Sequence, residues 1–363
     1  MKINNSILIV GAIILSISTL SCAKRIDSME NKDNQVTLVK GIINFSSDRG
    51  GCLFLLKDGK IERLTLEGGH GRFSADGKKI YFHKGSELFV YDLQTNKTDI
   101  LNEITKYKTF EFDLSPDNKQ IVFTSFGQKF DYDIPENIYV ANIDGTNYKQ
   151  LTFFTGGPKG WNASGAARPR WSPDGKTIVF NGPDIINNSC SSNAIYTIKP
   201  DGTNLKKIIS IGEGKLSYVR YPSWSPDSKK ITFQAEIRND PQGYEYIATS
   251  NTDGSNPKKA IAGYSYIFIA NADGSDIRQV TKKQFDDSDP VFSPDGKQIC
   301  FASHRHYVED KIPNAVMGSE LFAINIDGTN EIRLTAPMIL GEYNVISPHL
   351  GEYASDNSPD WHE

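Results

Sequence analysis

Two histidines two residues apart, His304 and His306, have the types and spacing to do chemistry. On a strand, alternate residues share a face, so the pair could ligate a metal or work as an acid–base pair. A metal site needs at least a third ligand, and the nearby Glu309 and Asp310 stand at no fixed metal-binding spacing. Other side chains suit recognition. Trp161 lies in the Gly-rich stretch Gly156-Gly157-Pro158-Lys159-Gly160-Trp161, where the indole is either an exposed contact or a plug over a core. Asp131, Tyr132 and Asp133 make an acidic, aromatic patch. Arg49 and Arg305 follow equivalent apolar runs, with Arg238 offset by one or two residues. Guanidinium groups so placed accept a partner's carboxylate or form a structural ion pair.

Recognised catalytic motifs are absent. Ser164, between Gly160 and Gly165, has the wrong spacing for a nucleophile elbow. The sequence contains no His-Glu-x-x-His and no phosphate loop. No cofactor and no metal are expected, and binding is favoured over catalysis. The alternative is an enzyme acting on carbohydrate, a lyase or hydrolase, through a His304/His306 metal or acid–base site.

The composition narrows the partner. The 40 Lys and Arg are interspersed with 44 Asp and Glu, for a net charge of −4, so the clustered bases that displace phosphate counterions are missing and nucleic acid is not expected. Tyr and Phe number 16 and 19 and Gly 30, and the apolar runs break at Gly, Pro, Asn and Asp, the pattern of many short strands. After residue 40 no long stretch keeps a 3.6-residue apolar period, so little helix is expected.

What must position the candidate residues is a repeat. An apolar anchor, then Ser-Pro-Asp-Gly or a close variant, then a strand ending in Phe recurs as Phe73–Phe82, Leu114–Phe123, Trp171–Phe180, Trp224–Phe233 and Phe292–Phe301. Pro pre-sets the first corner of a turn, Asp takes the second and Gly accepts the left-handed exit, so each phrase is a tight hairpin. A second hairpin phrase with Asp-Gly at its turn follows each copy, as in Ile138–Asn147 and Leu321–Asn330. Two hairpins make one four-stranded blade. The Ser positions 74, 115, 172, 225 and 293 fall 41, 57, 53 and 68 residues apart, propeller spacing with loops of uneven length. The widest gap holds a near-duplicate half-blade, Tyr244–Ser255 beside Tyr264–Ser275, which reads as an extra hairpin inside blade five.

The two ends explain each other. The chain opens with half a blade at Ile42–Thr65 and closes with Asp356-Asn357-Ser358-Pro359-Asp360-Trp361, which matches the missing inner strand. The expected fold is all-β: a six-bladed propeller of four-stranded antiparallel blades, the C-terminal strand completing blade one and removing two sheet edges. The short turns then share one face. The long connections, at 124–137, 152–167, 181–193, 302–319 and 335–355, share the other, the expected recognition face. There Arg49 and Arg305 would line the channel mouth.

These phrases, over roughly 41–361, resemble the Pro-Asp propeller repeats of the TolB family, periplasmic proteins of the Tol–Pal system. The resemblance implies the fold and, more weakly, protein binding. TolB carries an α/β domain before its propeller, where this chain has a polar stretch. Related propellers also include pectin-fragment lyases with a Gln/His metal cluster, a motif not matched here. Residues 1–22 read as a signal peptide: Lys2, then an apolar run over 7–20, too short for a comfortable membrane span of ~20 residues. The run ends in Thr19-Leu20-Ser21-Cys22, which resembles a lipoprotein processing site, with Thr19 departing from the usual Leu. That resemblance implies lipidation at Cys22 and, with Ala23 following, an outer-membrane anchor facing the periplasm or the cell surface. Residues 23–40 form a flexible tether and 41–363 the propeller. Cys52, Cys190 and Cys300 remain, an odd number read as free thiols. A monomer binding an envelope protein or glycan is the expected form.

Overall fold

In the computed structural model, residues 40–362 are described apart from 48–51, 65–67, 86, 128–134, 156–164, 187–188, 211–215, 238–243, 250–257, 263, 284, 305–318 and 336–355. Six four-stranded antiparallel sheets form the blades of a ring. Blade one takes three strands from the start of the propeller, β1 (Ile42–Ser47), β2 (Cys52–Lys57) and β3 (Lys60–Arg63). Blade two is β4 (Gly69–Phe73), β5 (Lys79–Lys84), β6 (Glu87–Asp92) and β7 (Lys97–Ile100), followed by the single-turn helix α1 (Asn102–Thr105). Blade three is β8 (Phe112–Leu114), β9 (Gln120–Ser125), β10 (Asn137–Asn142) and β11 (Lys149–Gln150). Blade four is β12 (Ala167–Trp171), β13 (Ile178–Ile186), β14 (Ser189–Ile198) and β15 (Lys206–Ile209). Blade five begins with β16 (Leu216–Trp224) and β17 (Lys230–Ile237). A separate two-stranded sheet, β18 (Tyr244–Thr249) with β19 (Lys258–Ala262), precedes its outer strands β20 (Ser265–Asn271) and β21 (Arg278–Gln279). Blade six is β22 (Asp287–Phe292), β23 (Gln298–Ser303), β24 (Glu320–Asn325) and β25 (Ile332–Arg333). The last strand, β26 (Asp356–His362), pairs antiparallel with β1 and is the inner strand of blade one.

The Ser-Pro-Asp-Gly phrase is explained by its hydrogen bonds. The fourth residue donates its N–H to the Ser carbonyl, as Gly77 does to Ser74 and Gly296 to Ser293, both at 2.8 Å. The Ser hydroxyl donates to the turn Asp, at 2.6 Å for Ser74–Asp76 and 2.7 Å for Ser172–Asp174. The same hydroxyl accepts the N–H five residues on, Lys79 at 3.0 Å and Thr177 at 3.0 Å. One Ser thus closes both the turn and the first rung of the hairpin. Where Gly is replaced, Asn118 and Ser228 still adopt a left-handed φ of 58° and 59°. Their side chains accept N–H groups from the preceding blade's turn, Ala75 and Asp174, both at 3.0 Å.

Among the described residues the core is a ring of six apolar clusters, one in each gap between blades. Leu53, Leu55, Phe73, Ile80 and Phe82 fill the gap between blades one and two. Val291 and Cys300 of blade six meet Ile43, Phe45 and Trp361 of blade one. Each anchor before the Ser-Pro-Asp-Gly phrase enters such a gap. The C-terminal strand is tied in: Trp361 donates its indole N–H to the Lys40 carbonyl at 2.8 Å, and the Phe73 amide donates to Asp360 at 2.7 Å.

The extra hairpin of blade five is present as β18 and β19. Two loop expectations change. Residues 181–193 are largely a hairpin arm, since β13 and β14 stay paired out to Ile186↔Ser189. The arm is held from inside, where buried Asp184 accepts from Lys207 at 2.8 Å and from Ser210 at 2.6 Å. His304 lies just past β23, which ends at Ser303, so it is not on the strand that the spacing with His306 implied.

Candidate functional site: the central channel

The inner strands β26, β4, β8, β12, β16 and β22 line the axis. A strand that is regular throughout would aim alternate residues at the two neighbouring blades, and none at the axis. Here the register slips in five of the six: between Gly69 and Arg72, Ala167 and Arg170, Arg220 and Ser223, Ser288 and Val291, and opposite Asn44 and Ser46 of blade one. Such bulges re-aim side chains. Pro169, Pro222, Pro290 and Pro359 sit at these slips, where a missing N–H breaks no ladder bond. The residue before the first three, and His70 in blade two, is left-handed: His70 φ 53°, Arg168 φ 55°, Tyr221 φ 55° and Asp289 φ 50°. Each costs of order 1–3 kcal/mol, a strain found chiefly where a side chain must point somewhere particular.

All four stand three residues before their anchor, as does Glu111 in blade three. Four of these five converge. Arg168 Nε lies 2.6 Å from Glu111 Oε1, and its Nη1 lies 3.2 Å from Asp289 Oδ1. The guanidinium stacks over the Tyr221 ring at 4.4 Å. Blades three, four, five and six are thus linked across the channel through one arginine. Burial works against the Arg168 charge, but Glu111 and Asp289 outweigh it and raise its pKa. Glu136, beside Glu111, is pushed up to about 7, first by burial and then by the Glu111 charge.

One step toward the short-turn face is a second layer. Arg72 Nε lies 3.9 Å from Asp113, whose carboxylate accepts the Trp171 N–H at 2.7 Å. Burial lifts Asp113 to about 7, against the opposing pull of Arg72 and the Trp171 amide. His70 is pushed down to about 3 by burial and then by Arg168, Arg72 and His83, and burial alone takes His83 to about 4.

Of the side chains singled out from sequence, His304 is exposed, its ring Nδ1 3.2 Å from the Asp286 carbonyl oxygen. Arg49, Asp131, Tyr132, Trp161, Arg238, Arg305, His306 and Cys22 lie outside the described residues. Among the described residues no group of three or more His, Cys, Asp or Glu side chains is arranged to hold a metal. Cys300 is buried with a free thiol, and burial raises its pKa. The channel residues carry no local signature in the sequence, because the bulge that turns them to the axis is a feature of strand pairing. A polar residue three places before each anchor gains meaning only once the bulge shows that this place faces the axis. On the loop-rich face Phe153 is 73 % exposed and Tyr218, beside Arg220 at the channel mouth, 44 %.

No protein-family model matches the chain. Among curated proteins, YuxL of Bacillus subtilis (strain 168), an uncharacterised peptidase, is 24% identical over 170 residues, 43% of this chain and 25% of that protein. Dipeptidyl-peptidase 5 of Porphyromonas endodontalis is 28% identical over 149 residues, 40% of this chain and 19% of that one. The chain therefore spans a quarter or less of these relatives' length. Among solved structures, TolB from Acinetobacter baumannii superposes with a TM-score of 0.57 at 17% identity, over 88% of this chain and 66% of that one. A TolB assignment from Agrobacterium tumefaciens gives 0.54 at 20% identity, over 81% and 88%. In blade count and superposition, the chain has the six-bladed β-propeller fold, similar to that of the TolB structures.

Proposed function

We propose that the chain is a cell-envelope binding scaffold that receives a protein or glycan partner on its loop-rich face, at the mouth of the channel. The observation behind this reading is the Arg168–Glu111–Asp289–Tyr221 network, in which left-handed backbone positions turn polar side chains toward the axis. A scaffold needing only stability would fill these places with apolar side chains at lower cost, since buried ion pairs add little net stability. The exposed Phe153 and Tyr218 on the same face suit a protein partner.

The envelope setting rests on the sequence of residues 1–40: a lipoprotein signal at 1–22, lipid on Cys22 and a tether at 23–40. Anchoring in the outer membrane and action as a monomer belong to the same proposal. Incorporation of a fatty-acid analogue into the wild-type chain and not into Cys22→Ala tests the anchor. The partner is tested by capture from envelope extract with residues 36–363. A specific partner retained by the wild type, lost with Asp289→Asn and kept with the turn-face variant Lys176→Ala supports the reading. Turnover of an oligosaccharide without any retained partner would replace it with the His304/His306 enzyme.

A further inference from the structure

Blade five carries more strand than the ring uses. Among the described residues, β18 and β19 pair only with each other, while the other strands all belong to four-stranded blades. A lone two-stranded hairpin is marginally stable in water and leaves its strand edges bare. The sequence of this hairpin is that of a blade component. Gly243–Ser255 and Gly263–Ser275 are identical at eight of thirteen positions, among them Tyr246 and Ile247 against Tyr266 and Ile267. The second copy contains β20, which pairs with β17 from Lys230↔Asn271 to Glu236↔Ser265. The first copy contains β18. The backbone agrees with the sequence. In the rung next to the turn, Thr249↔Lys258 stand nine residues apart, as do Ile269↔Arg278 in the blade itself. Val140↔Lys149, Thr197↔Lys206 and Ala323↔Ile332 of blades three, four and six have the same spacing. The pair β18–β19 is thus built as an outer half-blade without a blade.

Packing decides which copy sits on β17. Phe268 stacks on Phe233 with ring centroids 5.7 Å apart, and Ile269 and Val280 are buried. The first copy has Ala248, Thr249 and Ala260 at these positions. Thr281 accepts the Ile267 N–H at 2.9 Å, and Ser265 accepts from Gln234 at 2.8 Å. The first copy has Ile261 and Glu245 there. On β17, Glu245 would stand opposite Glu236 in the place of Ser265, and like charges directly opposite oppose pairing. The first copy is therefore the weaker occupant, yet it keeps what defines the place. Tyr266 and Ile267, both buried, recur as Tyr246 and Ile247. Asn271 and Ser275, whose side chains bond across the turn at 3.0 Å, recur as Asn251 and Ser255. Topology permits an exchange. β17 starts after a turn of the Ser-Pro-Asp-Gly kind and β21 after an Asp-Gly turn, so both end on the loop-rich face. The stretch 238–243 would then join β17 to β18. It is intermediate in length between the corresponding 85–86 of blade two and 126–136 of blade three. Residues 263–286 would lead from β19 to β22 and carry the displaced hairpin on that face, with no strand threaded through another.

We propose that blade five has two interchangeable outer hairpins: β18–β19 displaces β20–β21 from β17, in the same register, in a minor state of the protein. Two packings that differ by a few side chains in one slot make a bistable element. The exchange changes the loop-rich face. The hairpin outside the blade carries Ala248, Thr249 and Ala260 in the present state and Phe268, Ile269 and Val280 in the exchanged one. A partner that binds the more apolar hairpin shifts the balance by as much as it prefers that state. This device is separate from the channel and does not depend on what the channel binds.

The test is disulfide trapping in the full chain, with linked peptides mapped by mass spectrometry. Directly opposed residues of an antiparallel pair have Cα atoms about 4.5–5.5 Å apart, within disulfide range. Lys230→Cys with Asn271→Cys reports the present state, since these residues are cross-strand partners. Lys230→Cys with Asn251→Cys reports the exchanged state. The first pair should link fully. The second should link slowly in the otherwise wild-type chain and at least tenfold faster with Phe268→Ala, which gives the second copy the first copy's residue. Ala248→Phe with Thr249→Ile strengthens the first copy and should speed the link likewise, which keeps the test if Phe268→Ala does not fold. Lys230→Cys with Asp253→Cys is two residues out of register and should link at least tenfold more slowly than the 230–251 pair. Equal rates at 251 and 253 would mean random collision of a loose chain and overturn the proposal. So would a 230–251 link that never forms, or one that neither variant accelerates.

Discussion

At the residue scale, several strongly shifted groups lie around the channel, among them His70, Asp113 and Arg168. Glu136 shows the consequence for stability. Its carboxyl is raised to about 7 in the fold by burial and by Glu111, above the ordinary value of 4.5. The folded protein therefore holds a proton there that the unfolded chain has lost, so stability falls as pH rises from about 4.5 to 7. Glu136→Gln removes that penalty: at pH 8 it should stabilise the protein by on the order of 1 kcal/mol, and at pH 4.5 by close to nothing, read by urea unfolding at both pH values. The histidines act in the opposite sense. His70 and His83, at about 3 and 4, bind fewer protons folded than unfolded, so their contribution is present above the ordinary histidine value and lost as pH falls through 6.5 toward 3. Asp113, also raised to about 7, acts with Glu136, so two raised carboxyls oppose two lowered histidines. Wild-type stability should be nearly flat from about pH 4.5 to 6.5, falling below about pH 4 as turn carboxylates held low by their Ser partners, such as Asp76 and Asp117, take up protons. The chemistry of these residues was visible as letters, but their convergence was not. Arg168 and Asp289 are 121 residues apart in sequence, and no local pattern joins them.

At the scale of elements, the hairpin phrases were legible because their physics is local: Pro, Asp, Gly and a closing Ser within five residues. Position within the ring decides how much each turn tolerates. Gly274 has φ +87°, and a Cβ there would collide with the Ile208 backbone carbonyl of the neighbouring blade, whereas Gly85 has φ +61° and nothing within 4 Å. Gly85→Ala should cost about 1 kcal/mol, the left-handed penalty alone. Gly274→Ala should cost clearly more, because a backbone must also move, and thermal unfolding of the two variants compares them directly. The long connections were legible only as lengths. The 181–193 stretch shows why: whether polar residues loop or extend a hairpin depends on a distant partner, here Lys207 and Ser210 on Asp184.

At the scale of the whole molecule, ring closure was readable from the two half-blades and the channel contents were not. Closure depends on β26. Trp361 is 8 % exposed within the cluster between blades six and one, and Trp361→Ala should destabilise by about 3–5 kcal/mol. Removing 356–363 should bare the edge of β1 and give an aggregating protein in size-exclusion chromatography. Six blades then present two unlike faces: a turn face of Ser-bonded Asp residues whose hydrogen-bonding capacity is largely used, and a loop-rich face that carries the exposed Phe153 and, where the strained inner strands reach the channel mouth, Tyr218. Site-specific photo-crosslinking in intact cells distinguishes them, with the crosslinker at Tyr218 on one face and at Lys176 on the other. Adducts to a discrete partner from position 218, diminished by Asp289→Asn, with none from position 176, are the predicted result. Adducts from position 176 alone, or equally from both, would contradict the assignment of function to the channel and its loop-rich face.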